Sequence, residues 1–308
     1  MALQTEFGYL PEHREFVVGD INIRTLPSFD KAVGEMRECP QVADDWVYSP
    51  LMSRRPFGGA NTKQLPYPAR IFGLPKTHVL EHRSATDADR LHFLVWVYGF
   101  IVGIRLSDSD AGFIDATPIK AGTLTDMLWL GNSEEKALGI ADEFWSKHAS
   151  TGRITKGIRG IIHLLFLSET PSYLEYEEFI YLYTALETCH YVNAMAAGKS
   201  PRSGTHAERI AQLCAQYQCP IPTWAAPGPG GVVAHRNETL HEGLFFDEPF
   251  GFSLYGGDQR RKHGTQYHAE LLQMRALICR LLCAILGFHD WQYIRSSVDT
   301  RQMHGLSL

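Results

Sequence analysis

The chain has no excess of positive charge. Its 308 residues hold 29 Lys+Arg against 34 Asp+Glu, a formal net charge of −5 at pH 7. That excludes a nucleic-acid coat protein that is basic throughout. Cysteine is sparse. Cys39, Cys189, Cys214, Cys219, Cys279 and Cys283 are scattered, without the close spacing of a secreted disulfide scaffold. Long apolar runs are missing. The most apolar stretch, Leu91–Leu106, has His92 near one end and Arg105 near the other. It falls short of the roughly 20 residues of a membrane span, so a buried helix or a buried strand pair is expected, with no membrane partner. The opening residues, MALQTEFGYLPEHREF, lack a charged segment followed by an apolar one. No signal peptide is therefore expected, and a reduced, cytoplasmic protein is the simplest expectation. The first half has no phosphate-cradling glycine motif: Gly58-Gly59 lies in a proline-rich stretch and is not a P-loop. It has no paired-carboxylate pattern and no metal cluster either, and no cofactor is expected.

What is present is enough apolar material for a packed core. Hydrophobic residues make up 44% and charged residues 20%, which excludes disordered, collagen and coiled-coil chains. The length allows one large domain or two ordinary ones. Charge is uneven along the chain. Residues 1–151 hold 15 Lys+Arg and 20 Asp+Glu, a balance of 15 − 20 = −5, and residues 152–308 hold 14 of each. The second part also carries nine of the 14 histidines, so it can present a local basic face that the total hides.

The pattern predicts a mixed α/β region over residues 1–150 and a helical region over 151–308, an α+β protein. Phe16–Arg24 ends in Ile-Asn-Ile-Arg alternation, which suits a half-buried strand. Ser49–Thr77 is rich in proline and glycine and reads as ordered loop or short edge strands. Thr86, with Asp87 and Asp89 behind it, is placed to cap a helix that leads into the apolar run. Ser133 with Glu134 and Glu135 opens a helix to about His148, and Thr151–Gly157 reads as a linker. Four helical segments follow: Ile158–Leu167, one from Pro171 or Ser172 to about Ala196, Thr205–Tyr217, and one from about Thr265 to Leu286. Leu182, Leu186, Cys189 and Asn193 form one stripe, and Leu271, Met274, Ile278, Leu281 and Ile285 another. Four amphipathic helices bury their stripes by facing one another, as an antiparallel bundle.

One segment carries chemistry: Arg236-Asn237-Glu238-Thr239-Leu240-His241. An arginine and a histidine five apart on a helix can reach one cleft. Arginine offers a permanent fork of donors that matches a phosphate. Histidine titrates near neutrality and can take a proton from a hydroxyl. RNA carries such a hydroxyl beside its own scissile phosphate, so these two groups suffice for cleavage. Alone the spacing is weak, since roughly one such pair is expected by chance in a chain of this length. The bland alternative is a surface helix that happens to carry both.

Its context is more specific. RNETLH, the upstream helix FIYLYTALETCHYVNA, the helix THAERIAQLCAQY and the closing helix ALICRLLCAILGF occur in an order and spacing that resemble the HEPN superfamily. The resemblance covers about Ile158–Trp291 and is closest to the Apea-like group. It implies a bundle of four to five helices and a metal-independent endoribonuclease in antiphage defence or toxin-like growth control. It also implies that Arg236 binds the scissile phosphate and that His241 acts on the 2′-hydroxyl or the leaving oxygen. Asn237 would orient one of them, and Glu187 in ALETCH would be the acidic group near the site. Two protomers would share one cleft, which makes a homodimer and an RNA substrate the implied partners. The alternative is a non-catalytic HEPN module that dimerises and binds RNA or a nucleotide. By analogy within the family, residues 1–150 sense a trigger or restrain the nuclease, or meet an inhibitor.

Other residues have competing readings. Arg260-Arg261-Lys262 is the core of the densest basic run, a solvated loop or an RNA-backbone contact. Cys214-x4-Cys219 with His235 and His241 loosely imitates a zinc site, but Cys214 belongs to an apolar stripe and no metal site is expected. Cys279 and Cys283, one helical turn apart, read as packing residues. Trp96, Trp129 and Trp145 read as core rather than as a platform for bases.

Overall fold

The computed structural model describes residues 2–54, 62–226, 231–237, 239–240, 244–245, 248–249, 264–299 and 302–308. The chain divides into two compact units, Met1–Leu124 and Thr125–Leu308. Strands dominate the first and helices the second, an α+β protein.

In the first unit the chain runs β1 (Leu3–Phe7), β2 (Phe16–Val18), β3 (Ile21–Thr25), α1 (Phe29–Arg37), β4 (Val42–Ala43), β5 (Trp46–Tyr48) and β6 (Leu51–Arg54). It continues through β7 (Lys63–Pro68), β8 (Ile71–Phe72), β9 (His78–His82), α2 (Ala88–Val102), β10 (Phe113–Ile114) and β11 (Ala116–Pro118). The main sheet is antiparallel, in the order β1-β9-β3-β2. The alternation expected over Phe16–Arg24 is a hairpin, because Gly19 takes a left-handed φ of 56° and reverses the chain between β2 and β3. In β3, Ile21 and Ile23 are buried. The apolar run is a single helix, α2, nearly all of it buried. Its cap is Asp87, whose carboxylate accepts the Asp89 N–H at 2.9 Å, and not Thr86. Tyr98 of α2 meets Phe7 of β1 edge-on, with ring centroids 5.9 Å apart. On α1, Phe29, Val33 and Met36 join Tyr9, Val47, Phe72 and Phe113 in a second apolar cluster.

The second unit opens with β12 (Met127–Trp129) and α3 (Ser133–His148), followed by α4 (Gly152–Ser168), α5 (Glu175–Ala196), α6 (His206–Tyr217) and α7 (Val232–Asn237). The short pair β13 (Leu244–Phe245) and β14 (Glu248–Pro249) comes next, then α8 (Gly264–Leu286), α9 (Trp291–Ile294) and β15 (His304–Leu306). β15 returns to lie parallel to β12. Two expectations shift here. The unit begins at Thr125 rather than 151, because α3 packs on α4 and α8. Thr151–Gly157 is no linker: it enters α4, where Ile154, Thr155 and Ile158 are buried. Gly157 is the reason a helix with a glycine suits this place. A Cβ there would stand 2.4 Å from Val192 Cγ2 on α5, so glycine lets the two helices approach closely. The core joins Ile158, Ile161, Ile162 and Leu165 of α4 to Leu182 and Leu186 of α5 and to Leu277, Ile278 and Leu281 of α8, all 0% exposed. The stripes expected on α5 and α8 face this core, save that Asn193 is half-buried. Cys279 and Cys283 are buried in it, and the buried Trp145 lies on α3. Among the described residues, no helix is long and apolar enough to cross a membrane.

Candidate active site

Three helices build the site. On α5, Tyr183, Glu187 and His190 fall at i, i+4 and i+7 and share one face. On α6, His206 and Arg209 stand in the first turn. That turn is locked by a capping box: the Thr205 hydroxyl accepts the Glu208 N–H, and Glu208 Oε2 accepts the Thr205 N–H at 2.6 Å. α7 follows a short 3₁₀ turn, Thr223–Ala225, anchored where the Trp224 indole N–H donates to Gln273 Oε1 at 2.9 Å. Val232 and His235 of α7 are buried against the bundle. Helix geometry then leaves Arg236 half-buried and Asn237 exposed.

A polar network joins α5 and α6, with a further bond inside α7. Glu187 Oε2 accepts from Arg209 Nη1 at 2.9 Å and lies 3.0 Å from His206 Nδ1. The Tyr183 hydroxyl is 2.9 Å from the same imidazole nitrogen. Arg236 Nη1 donates to Asn237 Oδ1 at 2.9 Å. Tyr183 reports the field where the helices meet. Its phenol is pushed well above its usual range, first by burial and then by the Glu187 carboxylate, while the charges of Arg236 and Arg209 act in the opposite direction. One carboxylate and two guanidiniums therefore act on one phenol. His190 is pushed below the usual imidazole range, first by burial and then by Arg209; Glu187 and a hydrogen bond with Gln212 oppose that. Such surroundings suit an anion with phosphate geometry, which a guanidinium fork can clasp.

Among the residues singled out from sequence, Arg236, Asn237 and Glu187 fall in or beside this network. His241, Arg260, Arg261 and Lys262 lie outside the described residues. Sequence reasoning missed Tyr183, His190, His206 and Arg209. The signals were there, in the i, i+4, i+7 spacing of Tyr183, Glu187 and His190, and in an arginine three residues after the histidine behind a capping threonine. Cys214 and Cys219 are buried thiols, pushed up to about 12 and about 11 by burial. Among the described residues, no group of three or more His, Cys, Asp or Glu side chains is placed to hold a metal ion.

No family model matches the chain, and no curated protein or solved structure matches it significantly.

Proposed function

We propose that the protein is an endoribonuclease of the HEPN type that needs no metal ion and acts in antiphage defence or toxin-like growth control. The observation that carries this reading is the packing of α7, which bears Arg236, against α5 and α6, where Glu187 accepts from Arg209 at 2.9 Å; the charges of all three act on the Tyr183 phenol. A phosphate set among two guanidiniums and one carboxylate is held by charge and by paired donors. His241, five residues after Arg236, supplies the group that takes the proton from the 2′-hydroxyl. The freed oxygen attacks the adjacent phosphorus, the bond to the 5′-oxygen of the next nucleotide breaks, and that oxygen leaves with a proton. Arg236 balances the charge that grows on the phosphate oxygens. The products are a 2′,3′-cyclic phosphate and a free 5′-hydroxyl. One Arg–His pair gives a single proton-transfer group, so two protomers sharing a cleft supply both acid and base. A cytoplasmic homodimer is the corresponding assembly.

The test offers one sequence as RNA and as DNA to the purified protein in EDTA, beside Arg236→Ala and His241→Ala. The expected result is RNA cleavage with cyclic phosphate ends, intact DNA, and loss of cleavage in both variants without loss of fold. Cleaved DNA, 5′-phosphate ends or activity lost on chelation would refute the mechanism. RNA bound but uncut would leave the non-catalytic module as the reading.

A further inference from the structure

From Trp46 to Leu80 the chain holds no aspartate or glutamate, while Arg54, Arg55, Lys63, Arg70 and Lys76 fall within that span. In a half of the molecule whose balance is negative, this is a local inversion of charge. The first unit absorbs two of the five itself. Arg70 is paired with Asp115 at 3.0 Å, and Lys76 donates to the Ser107 carbonyl at 3.0 Å. Arg55 lies outside the described residues. Arg54 and Lys63 sit on the antiparallel ribbon of β6 and β7, which pairs with no other strand among the described residues.

The ribbon has features that its own fold does not repay. Every residue of β6 is exposed, as is β7 apart from the half-buried Leu65. A two-stranded ribbon of this kind is only marginally stable alone. Arg54 stands directly opposite Lys63 in the ladder, so two like charges share one face. That pairing is unfavourable unless an anion lies across both. Ser53 stands opposite Gln64 on the other face, adding groups that hydrogen-bond to phosphate and sugar. Tyr67, 51% exposed, offers a ring on which a base can stack. Leu51 and Met52 of β6 are exposed as well, but the cations oppose each other across the ladder beside neutral donors and a tyrosine, a combination that matches the alternating phosphates and bases of a nucleic-acid strand.

We propose that the β6–β7 ribbon is a nucleic-acid arm, on which Arg54 and Lys63 hold the phosphate backbone of an RNA strand and Tyr67 stacks on a base. The choice of RNA rests on the endoribonuclease reading, whereas the phosphate-binding face does not. The experiment measures fluorescence anisotropy of a labelled oligouridylate with full-length protein carrying His241→Ala, so that binding is read without cleavage and with the Arg236 phosphate contact left in place. The same protein with Arg54→Gln and Lys63→Gln is compared across a salt series. The expected loss of affinity is on the order of tenfold, and the slope of log affinity against log salt should shrink by about 1.4, roughly 0.7 for each lost contact to a single strand. Polyglutamate and phosphatidylserine vesicles should not displace the RNA. Unchanged affinity and slope, no RNA binding by the parent protein, or displacement by polyglutamate or vesicles would each overturn the proposal. If the substitutions weaken binding as stated but the unsubstituted chain cuts no RNA, the nuclease reading fails and the arm stands.

Discussion

Arg280 and Arg236 both belong to the helical unit, and they are held in opposite ways. Arg280, on α8, is 0% exposed. Its Nη1 donates to Asp126 Oδ2 at 2.9 Å and to the Ala276 carbonyl, and its Nη2 donates to Ser296 Oγ and the Ser297 carbonyl. Its guanidinium carbon lies 4.6 Å from the centre of the Tyr293 ring. These bonds tie the start of the unit and the segment after α9 to α8. Arg236, on the six-residue α7, is half-buried, bonds to its exposed neighbour Asn237 and acts on Tyr183 across the helix junction. The first arginine is consumed by structure. The second is half-buried on a short helix. Burial and the identity of the partners, rather than residue type, separate a structural arginine from a candidate binding one.

Substitution at Arg280 should give the largest effect on stability. Arg280→Ala leaves the half-buried Asp126 without its cation, empties a fully buried site and breaks the bonds to Ser296 and Ser297, and is expected to cost about 3 kcal/mol in chemical denaturation. A loss below about 1 kcal/mol would erase the contrast between the two arginines. Arg275 offers an intermediate case, lying between two carboxylates, Glu169 at 2.6 Å and Glu178 at 2.5 Å. One guanidinium cannot neutralise both, and burial raises Glu178 to about 7, with Arg275 opposing. Because the folded form binds that proton more tightly than the unfolded chain, this carboxyl's contribution falls as pH rises from about 4.5 to about 7. The decline should be on the order of 3 kcal/mol. Unfolding curves at several pH values should show a flatter profile for Glu178→Gln over that window, and an unchanged profile would place the titration elsewhere.

Smaller effects test how the candidate site is held. Thr205→Ala removes the cap that fixes His206 and Arg209 and should cost about 1 kcal/mol of thermal stability. If the network is used in catalysis, cleavage should fall further than that loss explains; a strictly proportional fall would make the capped turn purely structural. Glu187→Gln weakens a partly exposed contact and should cost under about 1 kcal/mol, with the change confined to RNA affinity and cleavage. The smallest change in melting temperature is expected for Arg236→Ala. A loss rivalling that of Arg280→Ala would mean that both arginines are structural.

The RNETLH segment was legible because its residue types name their own chemistry, and Glu187 because it sits in a long, strongly patterned helix. The partners His206 and Arg209 were less visible. Each looks like an ordinary polar residue of a capped helix until α6 is laid beside α5. The entry of α4 is hidden for a local reason: Thr-Gly-Arg-Ile-Thr-Lys-Gly reads as a break, and nothing in that stretch announces the side chain of Val192. The basic ribbon escaped notice because net charge averages over the very segment that departs from it.

Local chemistry in the chain alone determined the mixed first half, the helices that follow, their buried stripes and the spacing of Arg236 from His241. Periodicity and charge act between near neighbours and survive without a fold. Tertiary structure alone decided that the division falls at Leu124, that Gly157 is a contact rather than a break, and that Arg280 is locked while the helix bearing Arg236 packs against those bearing Glu187 and Arg209. Those outcomes depend on which side chains are brought within a few ångströms across distant segments, and on the burial that sets the strength of every charge among them.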